Sequence, residues 1–215
     1  QMSQPTIEKI LTIAEIGVIL REKPSCDRNW TNRIIFRLSA GCGLRRKEIA
    51  GLSMKDVRCH VDDERPHVVV RAAITKGREG KRRRRIVPLW WDSGTLGDIQ
   101  AHKLAREVAG AGPQDPFVVM DRGDWSGGRF QPHRISQRWR TAIKPIGGFR
   151  VEQMSVHGGR HTFCSHALAI GRSIVEVQKA AGHSDVKVTS EYLHLIERLD
   201  VPDLYGAATK EDQGE

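Results

Sequence analysis

Most hydrophobic positions of the chain repeat at the spacing of a helix. In "LTIAEIGVIL", residues 11–20, Glu15 stands three residues after Thr12, which is the pattern of a capping box before an apolar helix. A second helix is predicted over about 28–41, because Trp30 and Ile34 begin an apolar series at four-residue spacing. The glycines of "GCGL" end it, and "RRKEIAGLSMKDV" predicts a short helix and an exit.

The middle of the chain changes to a β pattern. Two β-prone runs, "HVVVRAAI" and "RRRRIVPL", flank the glycine-containing loop "TKGREGK", which predicts an antiparallel hairpin. Pro88 marks a strand edge or end, because proline has no N–H for the ladder. Helical patterns return from about 94, in "TLGDIQAHKLAREVAG", "PHRISQRWRTAIKPIG", "RHTFCSHALAIG" and "SIVEVQKAAG". The predicted fold class is therefore mainly α with a small antiparallel β-sheet (α+β).

The net charge of the chain indicates what kind of partner it binds. Among 215 residues there are 35 Lys and Arg against 26 Asp and Glu, a net charge of +9. Such a surplus favours a polyanion, with nucleic acid first and an anionic membrane second, although a merely solvated surface would also carry it.

The sequence also contains information on membrane segments and on the cellular compartment. No run approaches the ~18 apolar residues of a transmembrane helix, and the N-terminus lacks a signal-peptide pattern. The four cysteines are scattered without a close pair, which favours reduced thiols in a cytoplasmic protein. We therefore predict a cytoplasmic protein with no membrane partner.

The stretch "VHGGRHTFCSH" concentrates reactive side chains. His157 and Arg160 are three residues apart and would share one face of a helix, as would His161 and Cys164. A zinc site is conceivable, but the paired C-x-x-C or H-E-x-x-H spacing is lacking, so we predict no metal. A single histidine in such a helix is more often a hydrogen-bonded core residue.

Four further positions complete one chemical set. Arg45 follows the glycine break, Lys76 lies in the hairpin loop, His183 stands in "AGHSD" and Tyr192 in "VTSEYLHL". Each alone is better explained as a surface, capping or packing residue. Together with the histidine–arginine pair they could bind and attack a phosphodiester. Arginine forks match two phosphate oxygens, and neighbouring cations would lower the tyrosine pKa from ~10.

In their order and spacing these residues resemble the tyrosine recombinase (phage integrase) family. The resemblance is carried by "GLRRKEIAGLSMKDV", "TKGREGKRRRRIVPL", "HGGRHTFCSHAL" and "AGHSDVKVTSEYLHL", and extends from about Thr12 to about Leu195. Intervals of 23 residues from Arg160 to His183 and nine from there to Tyr192 match the family. The resemblance implies the catalytic-domain fold of that family and site-specific recombination or integration of DNA.

The resemblance also implies a catalytic set, which is Arg45, Lys76, His157, Arg160, His183 and Tyr192. Tyr192 would attack the scissile phosphate and form a 3′-phosphotyrosyl link, leaving a free 5′-hydroxyl. The two arginines would hold the non-bridging oxygens, and Lys76 would protonate the 5′-oxygen. His157 would assist proton transfer with the tyrosine, and His183 would hydrogen-bond the phosphate. No metal, nucleotide or other cofactor is implied.

The hairpin loop leaves one assignment open. Because "CHVDDERP" lengthens the stretch before Lys76, Lys81 is a competing general acid. The basic run from Lys81 to Arg85 would usually be a solvated face, but here we expect contacts to DNA from Arg78, Lys81, Arg82 and Arg83.

Three other positions bear on how the site is supported. Glu48 and Asp56 match family positions that support the first arginine's helix and the turn after it. Gly159 stands where a leucine is common, so we expect a looser start to that helix.

The resemblance further implies a domain organisation. We expect residues 1–200 to form the catalytic domain and 201–215 a polar C-terminal tail, with the family's N-terminal core-binding domain absent from this chain. The expected partner is double-stranded DNA. The free chain would be a monomer, and four copies would assemble in synapsis.

Three alternatives remain at this level. The chain could be a catalytically inactive recombinase-like module that only binds DNA. It could be a basic RNA-associated protein, although few aromatic residues accompany its basic stretches. A type IB topoisomerase shares the chemistry, but the short length and the "GH…Y" spacing favour a recombinase.

Overall fold

The computed structural model describes residues 6–21, 27–59, 64–75, 83–120 and 127–196. Its helices are α1 Ile13–Leu20, α2 Asp27–Phe36, α3 Arg46–Gly51, α4 Ser93–Val108, α5 Pro132–Ala142, α6 Gly148–Gln153, α7 Val156–Ala169, α8 Ile174–Ala181, α9 Val186–Ser190 and α10 Leu193–Ile196. Its strands are β1 Val57–Arg58, β2 His67–Val70 and β3 Arg85–Pro88. The predicted fold class is confirmed. None of the helices in these ranges is long and apolar enough to cross a membrane.

The first two helices begin and end for local reasons. The Thr12 hydroxyl accepts a hydrogen bond from the Glu15 amide at 3.1 Å, and the Glu15 carboxylate accepts one from the Thr12 amide at 2.8 Å. The predicted capping box is thus confirmed. Helix α2 continues into a π-helical turn over Arg37–Gly41. The helix predicted over about 28–41 is confirmed, with a change of hydrogen-bond register in its last turn.

The sheet has the order β1-β2-β3 with antiparallel pairing, and Val68 lies opposite Val87. Strand β3 ends at Pro88, as predicted. The end of the first β-prone run departs from the prediction, because Ala72–Ile74 forms a 3-10 turn that takes the chain out of the sheet. The hairpin loop itself, 76–82, lies outside the described residues.

Two hydrophobic clusters hold these elements together. The larger one includes Ile49 and Trp139 and joins α2, α3 and α5 to the sheet. The smaller one lies between α7 and α8 and includes Phe163, Val177 and Tyr192. The candidate nucleophile is therefore also a core residue.

Helix α7 crosses the π-helical turn at very short range. The Ser39 hydroxyl donates a hydrogen bond to the Val156 carbonyl at 3.0 Å. A Cβ atom on Gly159 would lie 2.1 Å from the Ser39 hydroxyl oxygen and 3.3 Å from the Trp139 indole nitrogen. The expectation of a looser helix start is therefore wrong, because the glycine permits tight packing there.

Two glycine-to-alanine substitutions inside helices should have opposite effects. Gly159→Ala should lower the free energy of unfolding by about 1–3 kcal/mol, because the added methyl overfills a packed crossing. A Cβ on Gly97, within α4, meets nothing within 4 Å. Gly97→Ala should therefore raise the free energy of unfolding by about 0.5–1 kcal/mol through reduced backbone entropy. Urea unfolding measures both, and a stabilising Gly159→Ala would contradict the close crossing.

Candidate active site

Arg45 is fixed by the start of α3. The chain leaves the π-helical turn through Gly43 at a φ of 63°, and Arg45 then takes the N-cap position. Its amide donates to one Glu48 carboxylate oxygen at 2.8 Å and its guanidinium to the other at 3.2 Å. Glu48 supports the first arginine's helix as predicted, and Asp56 likewise accepts from the Ser53 amide at 2.9 Å in the following turn.

The Glu48 carboxylate is fully buried and has a second cationic partner. Arg85, on β3, donates two parallel hydrogen bonds to it at 2.8 and 2.7 Å. Burial alone would raise the pKa of Glu48, but hydrogen bonding and charge from Arg85, followed by Arg45, hold it below its ordinary value. In the sequence, Arg85 is recognisable only as the last residue of a basic run. Its place in a strand, two residues before the buried Val87, was the available signal that it faces inward.

Arg160 lies within α7 and is only 1% exposed. Its guanidinium donates to the Gly43 carbonyl at 2.7 Å and also to the Ala181 carbonyl. Burial, and then the charge of Arg45, lowers its pKa to about 10, so it stays cationic at neutral pH. Arg160 thus joins the backbone just before Arg45 to the backbone just before His183.

His183 follows Gly182, which ends α8 in the left-handed conformation at a φ of 68°. Its Nδ1 lies 2.9 Å from the Thr189 hydroxyl. Its ring is parallel to that of Tyr192, with 6.2 Å between the ring centroids. Burial, and then the charge of Arg160, lowers the pKa of His183 to about 3, so the imidazole is neutral.

Tyr192 lies in the turn between α9 and α10 and is 2% exposed. Its hydroxyl is 2.8 Å from Nδ1 of His161. Burial, and then Cys164, raises the pKa of Tyr192 above its ordinary value, and the charge of Arg160 offsets only part of this. The phenol is therefore protonated and withdrawn from solvent.

His157 is half-buried, and the ring of His161 lies between it and Tyr192. Its ring meets that of His161 edge-on, with 4.5 Å between centroids. The histidine that hydrogen-bonds with the Tyr192 hydroxyl in this structure is thus His161. In the sequence it was only a possible metal ligand. Its four-residue spacing from His157 was the available signal that both share a helix face. Among the described residues, no group of three or more His, Cys, Asp or Glu could hold a metal ion.

An open cleft of about 1230 Å³ is lined by Arg45, Arg85 and His183 among these residues. His183 lies in its wall, and its basic lining side chains are Arg45, Arg83, Arg84, Arg85 and Lys179. Thr75, which borders the undescribed stretch 76–82, lines the cleft too. The predicted residues that lie outside the described ranges are Lys76, Arg78, Lys81 and Arg82.

Sequence comparison matches the phage integrase family model to residues 2–198. Tyrosine recombinase XerC of Myxococcus xanthus is 27% identical over 190 residues, which cover 87% of this chain and 58% of the relative. Tyrosine recombinase XerD of Rhizobium meliloti is 38% identical over 127 residues, 59% of this chain and 38% of the relative. The chain therefore spans less than two thirds of the length of these relatives.

Structure comparison gives the same fold. The crystal structure of XerA recombinase matches with a TM-score of 0.68 at 23% identity, over 91% of this chain and 62% of that one. XerH site-specific recombinase, in a post-cleavage complex with a palindromic difH substrate, matches with a TM-score of 0.61 at 18% identity, over 97% and 54%. The predicted recombinase catalytic-domain fold is confirmed.

Buried neutral histidines should make stability depend on pH. His161 and His183 have pKa values of about 3 when folded, whereas an unfolded histidine titrates near ~6.5. Below that pH the unfolded state binds more protons. The free energy of unfolding should therefore fall as pH decreases from about 6.5 towards 3, by up to about 1.4 kcal/mol per pH unit for each histidine. Denaturant unfolding between about pH 5 and 7.5 measures the slope.

Two substitutions test the origin of that slope. His161→Gln should reduce it by one histidine's share, because glutamine does not titrate. His133→Gln, at an exposed position on α5, should leave it unchanged. Equal slopes in His161→Gln and the wild type would contradict the assignment.

Proposed function

Because the chain belongs to the phage integrase family, we propose that it cuts and rejoins duplex DNA as the catalytic part of a tyrosine-type site-specific recombinase. One observation supports the proposal, namely that four of the six predicted catalytic residues are linked, partly through the backbone next to them. Arg160 binds the carbonyls that precede Arg45 and His183, and the His183 ring stacks on Tyr192. Arg45 and His183 both face one basic cleft.

The charge of the cleft suits a phosphodiester. Arg45 is partly exposed, with 22% of its side chain accessible, and can turn its free donors towards a non-bridging phosphate oxygen. Arg160 places a permanent positive charge beneath the same region. Donors and charges held in place before the reaction stabilise the charge that develops on a pentavalent phosphorus.

The proposed reaction has two transesterification steps. The Tyr192 oxygen attacks phosphorus, the bond from phosphorus to the 5′-oxygen breaks, and Lys76 supplies the proton to that oxygen. The phenolic proton passes to an imidazole nitrogen, a role assigned to His157. The 5′-hydroxyl of a second strand then attacks the 3′-phosphotyrosyl link and releases the tyrosine. Each step exchanges one phosphoester for another, so the scheme needs neither metal nor nucleotide.

The tyrosine must move before it can attack. At 2% exposure it is not among the described residues that line the cleft. Turning outward breaks its hydrogen bond to His161 and its stacking on His183. Near the cleft arginines the phenolate is favoured, because nearby positive charge lowers a phenol pKa. We therefore expect DNA binding to precede exposure of the nucleophile.

The proposal extends to partners. We propose duplex DNA as the substrate, a monomer in the free state and four copies in the synaptic complex. Since the named relatives are longer than this chain, binding by these residues alone is expected to be weak and dominated by phosphate contacts.

Covalent capture tests the proposed nucleophile. The chain is incubated with a pool of nicked duplexes whose cleaved end diffuses away, then denatured and examined for DNA that remains attached. The wild type should form an adduct that Tyr192→Phe abolishes. The variant should lose the hydrogen bond to His161, about 1 kcal/mol, so its melting temperature should fall by roughly 2–4 °C.

The chain offers a matched control. It has two tyrosines, and Tyr205→Phe should form the adduct at the wild-type rate. If Tyr192→Phe forms as much adduct as the wild type, Tyr192 is not the nucleophile. If the wild type binds duplex DNA without forming any adduct, the chain is an inactive binding module.

Salt dependence tests the proposed cleft interface. Affinity for duplex DNA should fall steeply with salt, and Arg83→Ala should reduce the slope of log K against log salt by about 1. Arg140→Ala removes an exposed arginine of α5 that does not line the cleft and should leave the slope unchanged. Fluorescence anisotropy over a salt series measures both. An affinity that hardly changes with salt would exclude phosphate-dominated binding.

A further inference from the structure

Arg85 faces the interior of the protein from a strand whose neighbouring side chain faces solvent. It is 9% exposed, whereas Ile86 is 48% exposed. Alternation along β3 therefore puts an arginine on the core side and an isoleucine on the solvent side, the reverse of the usual arrangement. A buried guanidinium is costly unless its hydrogen bonds are satisfied, so its partners indicate why it is there.

The first partner is the carboxylate that also holds Arg45. Two guanidinium nitrogens of Arg85 bind the two oxygens of Glu48, and these same oxygens accept from the Arg45 amide and guanidinium. Glu48 is 0% exposed. A two-pronged pair of this kind fixes direction as well as distance. The orientation of Arg45 is thus set through Glu48 by a residue on another element.

The second partner lies beneath the turn that carries His183. The Arg85 Nε donates to the Ala180 carbonyl at 2.9 Å, in the last turn of α8. A Cβ atom on Gly182 would lie 2.7 Å from the Arg85 Cδ. The aliphatic part of Arg85 therefore packs directly under Gly182. Arginine donors at a helix C-terminus satisfy carbonyls that have no partner within the helix.

We propose that Arg85 is a positioning residue that holds Arg45 and His183 in register on the two sides of the cleft. It acts through Glu48 on one side and through the Ala180 carbonyl on the other. The inference rests on the proposed recombinase function, in which both positioned residues contact the phosphate. The competing role is direct phosphate binding by Arg85, since the residue also borders the cleft.

A pH-rate profile separates positioning from a general loss of stability. With Arg85 present, the Glu48 pKa lies below its ordinary value. Arg85→Met removes the strongest influence that lowers it and leaves the carboxylate buried, so the pKa should rise. As pH falls, Glu48 should become protonated and release Arg45. The variant should therefore acquire an acid limb at higher pH than any that the wild type shows.

The measurement is the single-turnover rate of adduct formation on the captured duplex between about pH 5.5 and 8.5. For Arg85→Met we expect a rate about 100-fold lower, the loss that ~1 Å of misplacement causes, with an unchanged dissociation constant for DNA. Arg85→Lys keeps the charge beside Glu48 but cannot form the two-pronged pair. It should be slower than the wild type, faster than Arg85→Met, and free of the acid limb.

A double variant keeps the test valid if Arg85→Met fails to fold. Glu48→Gln combined with Arg85→Met removes both buried charges, so no unpaired carboxylate remains. Its rate should stay low, and the acid limb should be absent because residue 48 no longer titrates. A wild-type rate in this double variant, or in a folded Arg85→Lys, would overturn the inference.

Arg33 provides the matched control. It pairs with the Asp98 carboxylate at 2.8 Å and donates to the Leu20 carbonyl at 3.0 Å. Its partners are thus of the same kind as those of Arg85, but it does not line the cleft. Arg33→Met should lower the melting temperature without changing the rate or its pH profile.

The remaining outcomes are distinguishable. If Arg85→Met weakens DNA binding, reduces the salt slope by about 1 and reacts normally once bound, Arg85 is a direct phosphate ligand and the inference fails while the proposed function stands. If the wild type itself forms no adduct, the proposed function fails and takes the inference with it.

Discussion

The geometry of the cleft depends on one buried carboxylate. Glu48 has no contact with water, and an ionised carboxylate in such a place is tolerated only with cationic partners on both oxygens. Arg45 and Arg85 meet this requirement from different elements, one at a helix start and the other on a strand. The need to neutralise a single charge thus brings the start of α3 and the edge of the sheet together.

The candidate functional side chains come mostly from the ends of elements. Arg45 caps the start of α3, His183 follows the end of α8, and Tyr192 occupies a turn between two very short helices. Such positions would be loose if each depended on its own element. Here Arg160, from the interior of the buried helix α7, binds main-chain carbonyls next to two of them. The positions of these side chains are therefore fixed by hydrogen bonds from a side chain of one rigid helix to the neighbouring backbone.

The sequence predicted the parts of the fold that have local signals. The capping box at Thr12 and the antiparallel pairing of β2 with β3 depend on residues close in the chain, whereas α9 and α10 are too short for a periodic pattern. For the site, motif order identified a set of residues that the structure largely brings together. The pairing of Arg85 with Glu48 and the bond from Tyr192 to His161 could not be predicted, because they depend on side-chain facing and on contacts 37 and 31 residues apart.

Tyr192 belongs at the same time to the small hydrophobic cluster between α7 and α8. Its availability to a phosphate is consequently an equilibrium quantity. Under the proposed function, the rate at a given DNA site would scale with the fraction of molecules whose tyrosine has left the cluster, and anything that binds the exposed form would raise that fraction. A random encounter with DNA would then find the proposed nucleophile buried in most molecules. Under the proposed function, restraint against unscheduled cutting would be a property of core packing, and mutations far from the phosphate would change its strength.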